Sequence, residues 1–329
     1  IGFEEEGYNE LPYAREVARR FATDHHGFVV KGDAARLLPR LAWHFDEPYA
    51  DMSAVPMFYL AEQTRAHVTV ALNGDGGDES FAGYERYRNL PVFRHWAKLP
   101  SAFRSAIVEP LAQTISRAFP ENTLLANVHY VNQITLAEPA WRYAAMMVMF
   151  REDMKERMYS PEFSRQITQR SSLDWMISHY NRSDLPEEID RRMNCDIETY
   201  LPGDLLPKVD RTTMAVGLEG RSPLLDHRVM EFAAALPASI KLRGGVLKAL
   251  LKDVAARHLD RKFVERKKHG FSTPLGIWFR GDLQDLMRDL LLSEKSQRGL
   301  FRPEFIQKMV QDHLSGRTNH HHRLWVLMC

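Results

Sequence analysis

The chain has 329 residues, of which 44% are hydrophobic and 26% are charged, the balance of an ordinary globular protein. Its 44 Lys and Arg against 43 Asp and Glu leave a net charge of +1, so no overall positive field favours nucleic acid as a partner. No apolar run approaches the roughly 20 residues of a membrane span, so no membrane contact is expected. Two cysteines, Cys195 and Cys329, make no disulfide framework, which favours a reducing cytoplasm.

The chain begins and ends inside apolar runs. Ile1-Gly2-Phe3 looks like the middle of a strand, and the last six residues are also apolar apart from the terminal cysteine. We therefore expect the chain to be a fragment of a longer protein.

The first 90 residues alternate strand and helix signals. Apolar residues at helical spacing predict a helix over 10–23, and a short strand is predicted at 27–30. Asp33 is expected to cap a helix over 34–45, and Ser53 a helix that runs to Thr64. Repeated β/α units of this kind imply parallel crossovers and a doubly wound sheet.

The stretch most informative about chemistry is 72–79, directly behind the β-branched run 68–71. That run predicts a buried parallel strand, and residues 80–84 predict the start of a helix. Between them lie three glycines and three carboxylates. Glycines at the carboxyl end of a strand let the backbone approach a ligand, in the crevice where open α/β sheets bind ligands. Carboxylates repel phosphate, so a nucleotide here needs a bridging divalent cation, which indicates a magnesium–nucleotide site.

A simple turn is the competing interpretation of this loop, because Gly/Asp-rich loops after strands are commonly turns. The spacing of its acidic residues is not that of an EF-hand, and no Gly-Lys-Ser/Thr of a Walker loop follows.

Beyond about residue 90 the strand signals fade and helical periodicity takes over. Prolines punctuate predicted helices over 108–119, 131–151, 173–180, 204–214, 228–236 and 247–259. The sequence therefore predicts an α/β part over 1–90 and a mainly helical part over 91–329, packed together without a linker.

Five ordered segments resemble the synthetase domain of glutamine-hydrolysing asparagine synthetases. The family's second nucleotide motif is matched by Asn73-Gly74-Asp75-Gly76-Gly77-Asp78-Glu79, and the segment ahead of it by 45–56. Its helical signature is matched by 205–211 with 217–226, and 241–248 and 266–272 complete the set. The order is the family's and spans nearly the whole chain.

The resemblance implies a parallel-sheet core like that of the adenine-nucleotide-hydrolase (ATP pyrophosphatase) fold, followed by a mainly helical body. Members of the family carry a glutaminase domain and a Ser-Gly-Gly-x-Asp-Ser pyrophosphate loop on the first strand of the synthetase sheet, and neither occurs in 1–329. Ile1-Gly2-Phe3 resembles the next strand. The fragment is therefore expected not to turn over by itself, and its exposed sheet edge leaves a homodimer open.

The resemblance also implies the chemistry of the intact parent. The side-chain carboxylate of aspartate attacks the α-phosphorus of ATP, giving an aspartyl-adenylate and pyrophosphate. Ammonia from glutamine then displaces AMP to give asparagine, with ATP and Mg²⁺ as cofactors. Positioning and electrostatic stabilisation are expected to dominate the catalysis.

Catalytic roles follow from the matched positions. Lys268 corresponds to the lysine that faces the α-phosphate. Asp75 stands where the family has a glutamate tied to the chemistry of the intermediate, and is one methylene shorter. Asp78 would ligate magnesium together with an aspartate of the absent loop.

Nucleotide contacts are expected from two strand ends. Ile1 and Gly2 would contact adenine through backbone groups. Asn73 replaces a common serine, and either side chain can hydrogen-bond a ribose or phosphate oxygen. Gly74 and Gly76 would supply close approach.

Other chemically suggestive residues are predicted to be structural. Tyr84 is expected to pack its ring under the loop. The runs His25-His26 and His320-His321-His322 carry no metal-ligand spacing. An internal ion-pair network is the favoured interpretation of five charged residues, with direct substrate contact as the alternative: Asp210, Arg211, Glu219, Arg221 and Asp226.

Two other functions stay open. A sister amidotransferase would carry the same adenylation motifs and act on a glycan or peptide carboxylate. A β-lactam-forming synthetase fits less well, because those relatives pair the lysine with a tyrosine–glutamate dyad. A module that only binds nucleotide is the non-enzymatic alternative.

Overall fold

The computed structural model describes residues 1–5, 8–30, 34–88, 96, 98–118, 123–167, 171–266, 273–294 and 298–329. Within these ranges, two small parallel sheets lie in a mainly helical body. Strand β1 (Gly2–Phe3) pairs with β2 (Val29–Val30), and β3 (Val70–Leu72) pairs with β4 (Glu219–Arg221).

The helices of the first half are Leu11–Phe21, Ala34–Phe45, Ala54–Arg65, Gly77–Ser80, Ser101–Phe103, Glu109–Ala118, Thr123–Leu136, Pro139–Ala145, Glu152–Met158 and Pro161–Gln166. Those of the second half are Leu173–Arg182, Glu188–Glu198, Leu206–Met214, His227–Ala235, Ala238–Lys241, Ala249–Ala255, Arg261–Val264, Leu275–Trp278, Gln284–Leu292, Pro303–Leu314 and His321–Met328. Turns of 3₁₀ type lie at Glu85–Tyr87 and Pro223–Leu225, and turns of π type at Arg104–Val108 and Leu201–Leu205.

The predicted helices are largely confirmed, and the exceptions have local causes. The helix expected over 131–151 is broken, because Pro139 opens a new helix at its first position, where the missing N–H costs nothing. Ser53 precedes the helix Ala54–Arg65 but makes no side-chain cap, since its hydroxyl donates to Asp51 at 2.8 Å. Asp33 lies outside the described residues.

The loop region also differs from the prediction. The helix predicted to start at 80–84 instead occupies Gly77–Ser80, so the glycine-rich loop itself forms its first turn. Gly76 makes this tight entry from a left-handed backbone at φ +82°.

Strand β3 is not buried as predicted. Val70 is 40% exposed and Leu72 is 74% exposed, because β4 is the one strand that pairs with β3 among the described residues. Strand β4 itself was not predicted, since Glu219-Gly220-Arg221 has no apolar residue to give a periodic signal. The described strands form two pairs in place of one doubly wound sheet.

Two apolar clusters hold the body together. The larger includes Phe58 and Trp325, and the smaller surrounds Tyr87 and Tyr143. Ala54 belongs to the first cluster and Ala82 to the second, so the segments that flank the 72–79 loop are anchored in both. No helix in the described part of the chain is long and apolar enough to cross a membrane.

The run His320-His321-His322 begins the last helix and gives a prediction for pH dependence. Burial, helped by the charge of Arg323, lowers the pKa of His320 to about 4, and burial lowers that of His321 to about 4. A histidine whose pKa is lower in the folded than in the unfolded state contributes stability above the unfolded value near 6.5. We expect the free energy of unfolding to fall as pH drops from 6.5 towards 4.

Urea unfolding at pH 7 and pH 5 measures this effect. Replacing His320 and His321 by glutamine should reduce the pH dependence, whereas His258→Gln, at an exposed position, should leave it unchanged. An equal pH dependence in the doubly substituted chain would contradict the assignment.

Candidate functional site

The loop after β3 is held by the strand pairing that precedes it. The Asn73 N–H donates to the Arg221 carbonyl at 2.9 Å, which extends the β3–β4 ladder by one residue. The Asn73 side-chain oxygen accepts the Asp75 N–H at 3.3 Å and the Ser222 hydroxyl. Asn73 therefore braces the loop from within, and its expected contact with ribose or phosphate stays a prediction.

The three glycines of the loop have different surroundings. A Cβ on Gly76 would lie 2.1 Å from a methyl of Leu225, and one on Gly77 would lie 2.7 Å from a methyl of Leu224. A Cβ on Gly74 would meet no atom within 4 Å. The loop backbone thus packs on the turn after β4 on one side and has open space at Gly74.

The carboxylates of the loop have separate environments. Burial raises the pKa of Asp75; the charge of Lys208 lowers it and that of Asp78 raises it. One carboxylate oxygen of Asp75 is buried with no hydrogen-bond partner among the described residues. Asp78 lies 3.1 Å from the ammonium of Lys248. These are acidic groups close enough to influence one another, and a lysine faces one of them.

Glu79 is nearly fully buried, and burial raises its pKa although a hydrogen bond from Tyr84 lowers it. Tyr84 thus lies against the loop, as predicted, with its hydroxyl donating to Glu79. The guanidinium of Arg86 stacks 3.8 Å from the Tyr84 ring and 4.8 Å from the Tyr200 ring. Its Nη2 lies 2.7 Å from the fully buried Asp196 carboxylate. This network ties the back of the loop to the helical body.

A second polar cluster surrounds Lys208. Its ammonium lies 2.8 Å from Asp51 Oδ2 and 2.9 Å from Ser53 Oγ, and the residue is only 8% exposed. The Tyr49 hydroxyl donates to Asp204 Oδ1 at 2.6 Å, and burial and the charge of Asp51 raise the pKa of Asp204. A Cβ on Gly220 would lie 3.5 Å from Asn73 Nδ2 and 3.6 Å from a methyl of Val209, so the helix that carries Lys208 lies beside the loop.

Local structure explains how Lys208 and Asp204 come together. Asp204 lies in the π turn Leu201–Leu205, which widens the backbone just before the helix Leu206–Met214 that carries Lys208. Pro202 and Gly203 in that turn are poor residues for a regular helix. Lys208 and Lys248 lie in the segments that resemble the family, but the sequence suggested a role for neither. A lysine beside apolar positions on a helix was the available signal for Lys208.

Several expected site residues are not brought into this cluster by the structure. The Gly2 N–H donates to the Phe28 carbonyl at 2.9 Å within the β1–β2 pair, and the adenine contacts of Ile1 and Gly2 stay predictions. Lys268 lies outside the described residues. The flanking residues are fixed: Arg266 lies 3.3 Å from Glu10, and Thr273 donates to the Met52 carbonyl at 3.0 Å.

The predicted internal ion-pair network is wrong among the described residues. Glu219 and Arg221 pair with each other at 2.7 Å on the surface, and Asp226 pairs locally with Arg228. Arg211 donates to the carbonyls of His44 and Phe45. Buried cations elsewhere in the body do pair with carboxylates: Lys208 with Asp51, Arg86 with Asp196, Lys241 with Asp190 and Arg192 with Glu188.

No group of three or more His, Cys, Asp or Glu in the described part of the chain has the arrangement of a complete metal site. Asp78 offers one carboxylate. Mg²⁺ is commonly held by one or two carboxylates with substrate phosphates and water, so this single ligand matches that pattern.

Comparison with known proteins identifies the family. The family model for asparagine synthase matches residues 1–329. The chain belongs to the asparagine synthase family. The resemblance seen in the sequence is thereby confirmed, and the carboxylate-rich loop, Lys248 and Lys208 can be considered as parts of a synthetase domain.

Individual relatives agree with this assignment. Asparagine synthetase (glutamine-hydrolyzing) 1 of Bacillus subtilis is 27% identical over 333 residues, which cover 100% of this chain and 50% of the relative. A putative asparagine synthetase (glutamine-hydrolyzing) of Mycobacterium bovis is 31% identical over 335 residues, covering 99% of the chain and 48% of the relative. Amidase chyE of Penicillium rubens is 24% identical over 320 residues, which cover 88% of this chain and 45% of the relative. The chain spans about half the length of these curated relatives.

The contrast between two loop glycines gives a stability prediction. Gly76→Ala forces a side chain into a left-handed backbone and against Leu225, so we expect a loss of about 2 kcal/mol in the free energy of unfolding. Gly74→Ala is the matched control and should cost less than about 0.5 kcal/mol. Denaturant titration measures both, and equal losses would contradict the described packing of the loop.

The Lys208–Asp51 pair gives a second prediction. Lys208→Met leaves the Asp51 carboxylate, whose side chain is 17% exposed, without its ammonium partner, and should cost about 3 kcal/mol of unfolding free energy. Combining it with Asp51→Asn should cost less than the sum of the single changes. Arg261→Met, which breaks an exposed pair with Glu265, should have little effect. Strict additivity at Asp51 and Lys208 would contradict a direct interaction.

Proposed function

We propose that this chain is the synthetase part of an ATP-dependent amidotransferase that converts aspartate to asparagine through an aspartyl-adenylate. Ammonia would come from glutamine hydrolysed elsewhere in the longer protein. The observation that carries the proposal is the loop of 73–79: its Asp78 carboxylate lies 3.1 Å from the ammonium of Lys248, and the charge of the buried Lys208 acts on its Asp75 carboxyl. The family membership supports the same reaction class.

The proposal includes an ATP-pyrophosphatase-like core in which a further strand, carrying the pyrophosphate loop, pairs with the open edge of β3. Two observations support it. Val70 and Leu72 are apolar and exposed on a strand with one partner among the described residues, and the matched relatives are about twice as long as this chain. An apolar strand edge of this kind is normally covered by another element.

Asp78 is the residue we propose for Mg²⁺. Its carboxylate already faces a cationic group, and further carboxylates lie nearby, so its donor chemistry fits a hard divalent cation. When bound, the ion would neutralise charge on the phosphates during adenylation. Lys248 would lie beside the same phosphates, and the open space at Gly74 leaves room for them.

The chain's other residues would handle the acyl group. In the first step the aspartate carboxylate oxygen forms a bond to the α-phosphorus, and the bond to pyrophosphate breaks; Lys268 would oppose the developing charge. In the second step ammonia forms the C–N bond as AMP leaves. Asp75, whose pKa burial raises, is suited to accept the proton that ammonia gives up.

Lys268 is proposed on the family match, and its neighbours support it. Thr273, which follows the segment of Lys268, is anchored to Met52, and Met52 lies between Asp51 and Ser53 of the Lys208 cluster. Thr273, five residues after Lys268, therefore lies beside this cluster, and this position supports the family assignment.

Carboxylate-dependent ATP–pyrophosphate exchange tests the function. We would measure it on a chain extended upstream to include the pyrophosphate loop, with aspartate, glutamate and several glycan or peptide acids. Lys268→Ala should abolish exchange by removing the charge at the α-phosphate, whereas Lys262→Ala, an exposed lysine of the same charged run, should not. Exchange retained in Lys268→Ala would refute that residue's role.

A sister amidotransferase for another carboxylate is the second candidate. Asp75 is shorter than the family glutamate, and one of its buried oxygens has no hydrogen-bond partner among the described residues, so this position departs from the family pattern. The relative named as an amidase supports breadth within the group. Exchange with a glycan or peptide acid but not with aspartate would establish it, and silence with every acid would favour a nucleotide-binding module.

The 329-residue chain alone is proposed not to turn over, because the pyrophosphate loop would supply backbone donors and a second metal ligand. Steady release of AMP and pyrophosphate from this chain in the presence of aspartate and ammonia would overturn that part of the proposal.

A further inference from the structure

The pair of Lys248 and Asp78 lies at the accessible side of the loop. The ammonium is 3.1 Å from Asp78 Oδ1, and the two side chains are 28% and 23% exposed. A Cβ built on Gly77 would lie 3.7 Å from the same ammonium, so the lysine end also lies over the turn that starts the Gly77–Ser80 helix. A ligand that enters the loop therefore meets this ammonium.

The backbone around the pair is arranged to bring Lys248 close. Lys248 has φ +52° and Ala82 has φ +56°, both in the left-handed region that costs a non-glycine residue energy. The Lys248 N–H donates to the Ala82 carbonyl at 3.3 Å. A Cβ on Gly83 would lie 1.9 Å from Asp78 Oδ1 and 2.3 Å from Lys248 Cε, so glycine is required there. The close approach of Lys248 to Asp78 therefore requires left-handed backbone at Ala82 and Lys248 and a glycine at position 83.

The charges explain what the contact does in the absence of ligand. The charge of Asp78 raises the pKa of both Asp75 and Glu79, so Asp78 repels each of the other two carboxylates of the loop. A cation beside Asp78 relieves that repulsion. An ammonium and a divalent metal ion would both bind this carboxylate oxygen, so each weakens the binding of the other.

We propose that Lys248 is a resident cation that neutralises Asp78 while the site is empty and is displaced onto the phosphates when a divalent metal ion and nucleotide bind. The inference rests on the proposed function, because it assigns a second partner to a residue of that site. It makes Lys248 a competitor of the metal and a ligand of the nucleotide. Removal of the Lys248 charge should therefore tighten metal binding and weaken nucleotide binding.

Mn²⁺ binding to the nucleotide-free 329-residue chain tests the first effect, with the electron paramagnetic resonance signal of free Mn²⁺ as the readout. Lys248→Met should tighten Mn²⁺ binding roughly three- to fivefold, the size expected for loss of a partly exposed ion pair. Lys248→Gly should do the same, and it tolerates the left-handed backbone, so a folding defect in the first variant leaves the test intact.

Two controls locate the effect. Lys252→Met changes the same charge one turn further along the helix Ala249–Ala255 and should leave Mn²⁺ affinity unchanged. Asp78→Asn should abolish the Mn²⁺ binding both with and without Lys248. In the presence of Mg²⁺, Lys248→Met should weaken binding of α,β-methylene-ATP.

The outcomes are decisive. Mn²⁺ affinity that is unchanged or weaker in both Lys248 variants, or absent in every chain, would overturn the inference, as would Mn²⁺ binding that survives Asp78→Asn. Tighter Mn²⁺ binding with a silent exchange assay would support the resident cation while refuting the proposed ligase. Exchange activity without a change in Mn²⁺ affinity would support the proposed ligase and refute the resident cation.

Discussion

The site depends on the parallel pairing of β3 with β4. This pairing joins residues that are 149 positions apart, since Asn73 and Ser222 contact each other across it. It brings the carboxylate loop against the turn Pro223–Leu225, whose leucines fix the loop backbone. Without the pairing, the loop would lose the leucine side chains that fix its backbone conformation.

Charge compensation is the second organising feature, and it occurs at three depths. Lys248 meets Asp78 near the surface, Lys208 meets Asp51 in a nearly buried position, and Arg86 meets Asp196 in the interior. The deeper two pairs gain additional partners: a hydroxyl for Lys208, and tyrosine rings for Arg86. Removing charges from water is costly, so the two deeper pairs need these additional partners, whereas the outer pair stays partly hydrated.

The sequence predicted much of the fold because helices are encoded by local patterns of apolar and capping residues. Start and stop residues located Ala34–Phe45 to the residue, apolar spacing located Leu11–Phe21 within two residues, and the family match located the loop. Strand β4 was not predicted because Glu219-Gly220-Arg221 is polar and forms a strand only by pairing with β3, which is distant in the sequence. Burial of β3 was overestimated for the related reason that periodicity reports side-chain type and not the number of neighbouring strands.

Side-chain roles were harder to predict than elements. The charged residues near β4 suggested a buried network, but they pair locally at the surface, whereas Lys208 and Asp51 meet over a separation of 157 positions. No pattern within a segment encodes such a meeting. The pairing of β3 with β4 is equally long in range, and closing a chain loop of this length costs conformational entropy before the contacts compensate for it. The helices between them require only short chain loops to close, so the carboxylate loop should be among the last parts of this protein to reach its native conformation during folding.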